Sequence, residues 1–598
     1  MNTLPHNIIR YISHISVSIL LLFILFKDSS GLGIQSYIFI TITILLSVWA
    51  FFCLRMSDCS FKTEKSDVIA IVIFIYVTIN FLYISERIWF INYLHFCLLS
   101  SMYFSLRIIF SSCKFSYNYI LDSIVTLGII ESITGIVQYY FYQENATGSF
   151  LNSGPYGGFL ACTNIAAQIK LQNYYRPCKL IYISFRKNAS YIINYESNGK
   201  HYISYALFLI SLYVVLLIQN RAALLCIFTG TLIISYKNIR IYLPRMHIDK
   251  RAIIYASVLT ATLLLSIALY KTKKASADGR ILIWKISNNI LAERPIEGVG
   301  LGNYMSTYSQ KQAQYFQSAH PSSYEIKIAG TPGFAFNEYL QFSIEFGFIG
   351  LLLFTVFICL IINTQIRNSD LIVHLLIGIL VFAFFSYPFR VLPIQVLCLI
   401  LCAFKSTEET NCKSTSIGKY IICILAICPS FFASFFYLRK IDAYQKWQYM
   451  LHSSSRAIIE VRSPKDFAYL YQDLNDDPNF LLDYGTFLHT TGDYHLSNNI
   501  LLKGAQLTGS MEYFCILGAN MMNMGNYSLA EYYFRRASYI IPNRLYPHYL
   551  LAKLYCLQGN ERQAIEKARN VINMTPKVQS PDADRLKAEM HNLLQTLE

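Results

Sequence analysis

The feature that most constrains this chain is a recurrence of apolar runs. From the N-terminus to about residue 437, hydrophobic stretches return again and again, parted by short polar segments. A helical run of about 17–25 such residues crosses a hydrocarbon core of about 30 Å. In hydrocarbon only a helix or a closed barrel satisfies its own backbone. We read thirteen spans, near 9–26, 34–53, 67–84, 88–106, 119–140, 156–170, 203–219, 221–236, 252–270, 347–363, 371–386, 390–404 and 418–437. The sixth is the weakest, being short and holding Asn164 and Gln168. Charged residues make up only 14% of the 598, against about 25% in soluble domains. The first run is long, and the "KDSSGLG" after it lacks a small-x-small cleavage pattern, so it is read as a span and not as a cleaved leader. The expected fold is all-α: a polytopic membrane helix bundle of about 12–13 spans, followed by a soluble helical repeat domain.

Lysine and arginine placement orients the bundle. With the N-terminus in the cytoplasm, the loops after even-numbered spans carry 19 basic residues and the short loops on the other side carry 4. The net charge of +15 is therefore mostly an orientation signal. The basic residues are spread over six loops and form no groove for nucleic acid. The segment 271–346 and everything after the last span then face outward, which in a bacterium is the periplasm. Most of the 15 cysteines lie inside spans, with no CxxC pair and no Cys/His metal spacing. Neither disulfide, metal nor cofactor is expected.

A period appears past residue 440. Gly525 and Gly559, Ala530 and Ala564, and Pro542 and Pro576 are each 34 apart, and Gly492 precedes Gly525 by 33. "TGDYHLSNN", "MGNYSLAEY" and "QGNERQAIE" align. Glycine between paired helices, a small residue at their crossing and a proline after the second helix resemble a tetratricopeptide repeat. We divide the chain into a membrane domain 1–437, a helical linker 438–479 and a repeat domain 480–598 whose last helix is a cap. Such repeats bind partners; bracing of the membrane part is the alternative.

The candidate chemistry sits on the outward side. Arg221, in "IQNRAALL", opens the eighth span against the charge bias, so it snorkels, pairs or binds an anion. In "DGRILIWKISNNILAERPIEGVGLGNY" (278–304), Arg280 and Trp284 share a helix face, and Gly298, Gly300 and Gly302 permit tight turns before Asn303. The glycines lack the spacing and preceding strand of a dinucleotide fingerprint. "GSFLNSGPYGGFLA" places Asn152 in an outward glycine-rich loop, and "SYPFRVLP" places Arg390 at a span mouth, where snorkelling is the simpler reading. "NEYLQFSIEFGFIG" puts Asn337, Glu338, Gln341 and Glu345 where the chain enters the membrane. Their plain role is helix capping: Asn337 at the cap, Glu338 and Gln341 in the first turns.

Taken together, over roughly 120–405, these motifs resemble the bacterial O-antigen ligase and polymerase superfamily. The resemblance implies a GT-C-type membrane glycosyltransferase. It would take a glycan from undecaprenyl diphosphate and pass it to a hydroxyl on lipid A core, a polysaccharide or a protein. Arg221 and Arg280 match the family's two functional arginines. Trp284, Asn303, Asn152, Arg390, Asn337 and Gln341 would line the substrate site. The histidine that family ligases carry before the asparagine is replaced here by Phe336, which accepts no proton. His320 in "QSAHPSSYE" and Glu338 are the substitutes, unless positioning and leaving-group stabilisation suffice. Ligase, chain-extending polymerase and protein O-oligosaccharyltransferase stay open. A flippase or exporter is the non-enzyme alternative, but the polar motifs crowd one face and not the bilayer midplane.

Overall fold

The computed structural model describes residues 6–25, 34–56, 63–84, 90–113, 115–150, 152–174, 200–242, 260, 264, 267–318, 321–367, 372–404, 416–453, 463–576 and 579–597. Every regular element among them is a helix. Twelve predicted spans appear as His6–Leu22, Ile34–Met56, Lys65–Tyr83, Phe90–Ser112, Tyr117–Phe141, Ser153–Tyr174, Lys200–Leu217, Arg221–Tyr242, Glu338–Arg367, Val373–Phe385, Leu392–Ala403 and Ser416–Ser453. The ninth, 252–270, lies mostly outside the described residues. Among the described residues, six helices have the length and apolarity to cross a membrane, and five shorter apolar helices pack with them in one core. The chain is a multi-pass membrane protein.

The sixth span reads weakly in sequence because it is the most enclosed. Ser153–Tyr174 is packed by Tyr117–Phe141, Lys200–Leu217, Arg221–Tyr242 and Val373–Phe385. A helix that meets other helices and little lipid tolerates polar side chains that find partners. Asn164 donates to Phe208 O and Ser211 Oγ, both at 2.9 Å, and Gln168 donates to Asn164 Oδ1 at 2.8 Å.

Arg107 corrects the loop assignment. Phe90–Ser112 continues past residue 106, so Arg107 belongs to the helix and not to a loop. It donates to both oxygens of Asp67, Nε–Oδ1 2.8 Å and Nη2–Oδ2 2.9 Å. Both side chains are buried, and a buried charge persists only when paired in this way.

The segment 271–346 is built, not looped. Lys274–Glu293, Tyr304–Ser318 and Ser323–Ile328 enclose a small apolar core with Leu282, Ile286, Tyr304 and Tyr308. Helix Glu338–Arg367 is broken at Gly347, φ 64° and ψ −171°. The glycine-rich turn docks into this break, backbone on backbone. Val299 N donates to Ile344 O at 2.8 Å, Gly300 N to Glu345 O at 3.0 Å and Phe348 N to Pro295 O at 2.8 Å. Asn80, from the end of Lys65–Tyr83, accepts from Leu301 N at 3.0 Å. Those glycines thus serve close packing.

The C-terminal helices, Pro464–Leu474, Pro478–Thr491, Tyr494–Thr508, Met511–Asn523, Tyr527–Ile540, Leu545–Leu557, Glu561–Asn573 and Pro581–Leu597, pack each on its neighbour. Gly492, Gly525 and Gly559 take φ of 87°, 77° and 70° at the turns, where a side chain would be strained. Ala443, Trp447 and Met450, beyond the membrane part of Ser416–Ser453, share a core with Phe467, Phe480 and Tyr484.

Candidate active site

Helices Arg221–Tyr242 and Lys274–Glu293 bring the two candidate arginines to one end of the bundle. Arg221 Nη1 donates to Leu269 O at 3.4 Å and Lys273 O at 3.2 Å, and Nη2 donates to Ser276 Oγ at 3.2 Å. Ser276 lies one turn before Arg280, whose Nη1 donates to Phe385 O at 2.7 Å. Arg280 is pushed below its ordinary value first by burial and then by the charge of Arg221. A guanidinium stays protonated regardless, so the pair is a doubly cationic patch. Among the described residues neither arginine has a carboxylate partner.

An aromatic wall faces Arg280. Its guanidinium lies 5.1 Å above the Phe336 ring. Phe336 and Phe334 both pack on Tyr387, at ring separations of 5.5 and 4.7 Å. Phe336 adopts φ 53°, unusual for a bulky residue. It is held there from both sides: Trp284 Nε1 donates to Ala335 O at 2.8 Å, and Ala335 N donates to Gln341 Oε1 at 3.0 Å. Asn220, beside Arg221, caps its helix by accepting from Ala223 N at 3.1 Å. Its amide donates to Ser153 O at 3.0 Å and Gly154 O at 2.7 Å, which draws in the glycine-rich loop. Glu131 and Gln138 hold that loop from beneath, through Ser149 N at 2.9 Å and Gly148 N at 2.8 Å.

The polar patch 337–345 is internally satisfied. Asn337 Oδ1 accepts from Leu340 N at 3.1 Å, the capping bond. Gln341 donates to Glu345 Oε1 at 3.1 Å, and Arg390 Nη2 meets the same oxygen at 2.6 Å. Glu338 accepts from Phe389 N at 2.8 Å. Glu338, Glu345 and Arg390 form the polar end of a cavity of about 400 Å³, otherwise lined mainly by aromatic and aliphatic side chains such as Phe342, Phe354 and Leu399. His95 lies on the same wall. Gln395 donates to Phe389 O at 2.7 Å, which turns its Oε1 towards His95 Nε2 at 2.9 Å. His95 therefore donates from Nε2.

Residues 206–355 match the family model of O-antigen ligases. Over that stretch the chain is similar to O-antigen ligases. No curated protein matches the chain significantly. The matched stretch contains Arg221, Arg280, Trp284, Asn303, Asn337, Glu338 and Gln341, while Asn152 and Arg390 lie outside it.

Within this matched stretch the structure gathers Arg221, Arg280 and Trp284 with the backbone of 335–336. Asn152 is exposed at the start of Ser153–Tyr174. Asn303 turns inward, donating to Val299 O at 3.0 Å in the docked turn. Arg390 does not snorkel: it is ion-paired with a Glu345 side chain only 2% exposed. His320 lies outside the described residues. Sequence reading passed over Asn220, Tyr387, His95 and Asn80. The signal for Asn80 and His95 was present, since a polar residue within an apolar span asks for a partner. Tyr387 gave none, because its neighbours come from segments 50 and 100 residues away.

Proposed function

We propose that the chain transfers a glycan from undecaprenyl diphosphate to an acceptor hydroxyl at the periplasmic face of the bacterial inner membrane, as an O-antigen ligase. One observation carries the reading. Arg221 and Arg280 stand together at one end of the bundle, and among the described residues no carboxylate pairs with either. Two adjoining guanidiniums are suited to the two phosphates of a lipid-linked donor. In the transfer the acceptor oxygen attacks the anomeric carbon and the bond to the diphosphate oxygen breaks. The electron pair leaves on the diphosphate, where the fixed cations stabilise it most as charge develops. Glu338, a buried carboxylate in the cavity wall, receives the hydroxyl proton. The aromatic wall of Phe334, Phe336 and Tyr387 gives the acceptor an apolar face to lie against.

The gel-banding pattern of lipopolysaccharide from a deletion strain tests the reading. Loss of all long-chain bands, with lipid-linked polymer accumulating, is the ligase result. Collapse to core plus one repeat unit is the polymerase result. Unchanged bands direct the search to protein or capsule acceptors. The C-terminal helices, in this reading a tetratricopeptide-like array, dock a protein partner.

A further inference from the structure

The C-terminal helices reach the candidate site through two reciprocal side-chain amides. Asn543, just after helix Tyr527–Ile540, places its amide nitrogen 2.9 Å from Ile326 O, 3.1 Å from Lys327 O and 2.9 Å from Ala329 O. These carbonyls close helix Ser323–Ile328. The last carbonyls of a helix have no partner within it, so a donor supplied from outside decides how the helix ends. From the opposite side Gln312, buried on helix Tyr304–Ser318, donates to Gly330 O at 2.9 Å and to Ile540 O. Ser309 donates to Thr508 O at 3.1 Å. Gly509 lies so close that a Cβ there would sit 2.8 Å from Ser309 Cβ. Ala313 is part of the apolar core of the C-terminal helices.

The clasp ends at Gly330. Five residues on, Ala335 meets Trp284 and Phe336 meets Arg280. A shift at Ala329 has little chain in which to dissipate before it reaches the aromatic wall. Arg221 is fixed separately, by carbonyls 269 and 273 and by Ser276, none of which the clasp touches.

We propose that the C-terminal helices are a working part of the site, and that Asn543 is a positioning residue that sets residues 330–337 against Arg280 for the acceptor. This rests on the glycan-transfer reading above. The acceptor side depends on the clasp; the donor side does not, because Arg280 is tied to Phe385 O and Arg221 to carbonyls 269 and 273, all outside the clasp.

The test uses the full chain in lipid nanodiscs, with an undecaprenyl diphosphate-linked glycan as donor and a purified lipid A core acceptor. N543A, and independently Q312A, are expected to raise the acceptor KM about 10- to 100-fold, the scale of a displacement near 1 Å. The donor KM stays within about twofold of wild type. N543Q, which keeps the donor group, recovers part of the loss. Hydrogen exchange quickens over 323–337 in N543A, while Leu545–Leu557 and Glu561–Asn573 keep their protection. An unchanged acceptor KM in both variants overturns the proposal. So does a parallel loss of both KM values and of protection throughout the C-terminal helices, which marks a purely structural role. If the wild type moves no glycan, the transfer reading fails, and exchange alone decides: unaltered protection of 330–337 in N543A overturns the coupling.

Discussion

Gly347→Ala is the sharpest perturbation of the site's framework, and its cost follows from the structure. A Cβ on Gly347 would lie 1.9 Å from Ile296 O and 2.6 Å from Glu297 N. Both obstacles are backbone, and a Cβ has no rotamer with which to avoid them. The glycine's own conformation, φ 64° and ψ −171°, is one that costs other residues about 1–3 kcal/mol. Relief requires the turn 295–302 to lift away, giving up the bonds from Val299, Gly300 and Phe348. At about 0.5–1.5 kcal/mol for each of the three bonds, the total with the backbone strain is about 2.5–7.5 kcal/mol. Hydrogen exchange in nanodiscs reads this directly: the Val299, Gly300 and Phe348 amides should exchange at least about 100-fold faster. Gly279→Ala is the control. Gly279 is helical, lies one residue from Arg280 and has nothing within 4 Å of a built Cβ, so alanine there should stabilise by about 0.5–1 kcal/mol. If G347A keeps wild-type protection at those amides, the backbone clamp does not hold the turn and the reasoning fails.

Substituting Arg280 or Arg221 by alanine should lower glycan transfer about 100- to 1,000-fold, with solubilised yield and elution volume unchanged. Lysine at either position should recover only part of the rate, because the bidentate fork is lost. Glu345→Gln should destabilise by about 3–5 kcal/mol by leaving Arg390 uncompensated; thermal unfolding in detergent of E345Q, R390Q and the double variant would show the double recovering part of the loss. Asn220→Ala removes a helix cap and should cost about 1 kcal/mol, with faster proteolysis in 143–154 as its marker. The Glu325 carboxyl is held down to about 2, chiefly by its hydrogen bond from Lys285. Its stabilising contribution is present above the ordinary carboxyl value and is lost as pH falls towards about 2. Wild type should therefore lose the excess protection of Ser323–Ile328 over E325Q on acidification between those limits; an excess that does not change with pH refutes the assignment.

The helical spans were legible because each must present apolar surface to lipid, and periodic apolar length is written locally. The sixth span shows the limit of that rule, since a helix enclosed by protein is released from it and reads poorly. Arg221 and Arg280 were legible as cations in unusual places, though their closeness was not, being a contact across about 60 residues. The glycine-rich turn was legible as a tight backbone and misleading as to purpose, because its partner is the break at Gly347, nearly 50 residues on. Arg107 misled the charge tally for the same reason: its partner, Asp67, is on another helix. Nothing near Asn543 in the chain signals what it binds, since three carbonyls more than 200 residues away define it.

Helix Ser416–Ser453 runs for 38 residues with Pro429 inside it, about 57 Å at 1.5 Å per residue. A hydrocarbon core takes up about 30 Å, so nearly half its length stands clear of the lipid, and Ala443, Trp447 and Met450 on that part lie in the core of the C-terminal helices. The helix is a mast stepped in the bundle. Torque applied to the C-terminal array by anything that grips it is delivered along this shaft to Phe90–Ser112 and Ile34–Met56, against which its lower half is packed. A handle attached to the last helix would therefore pull on the membrane bundle itself through this packed contact.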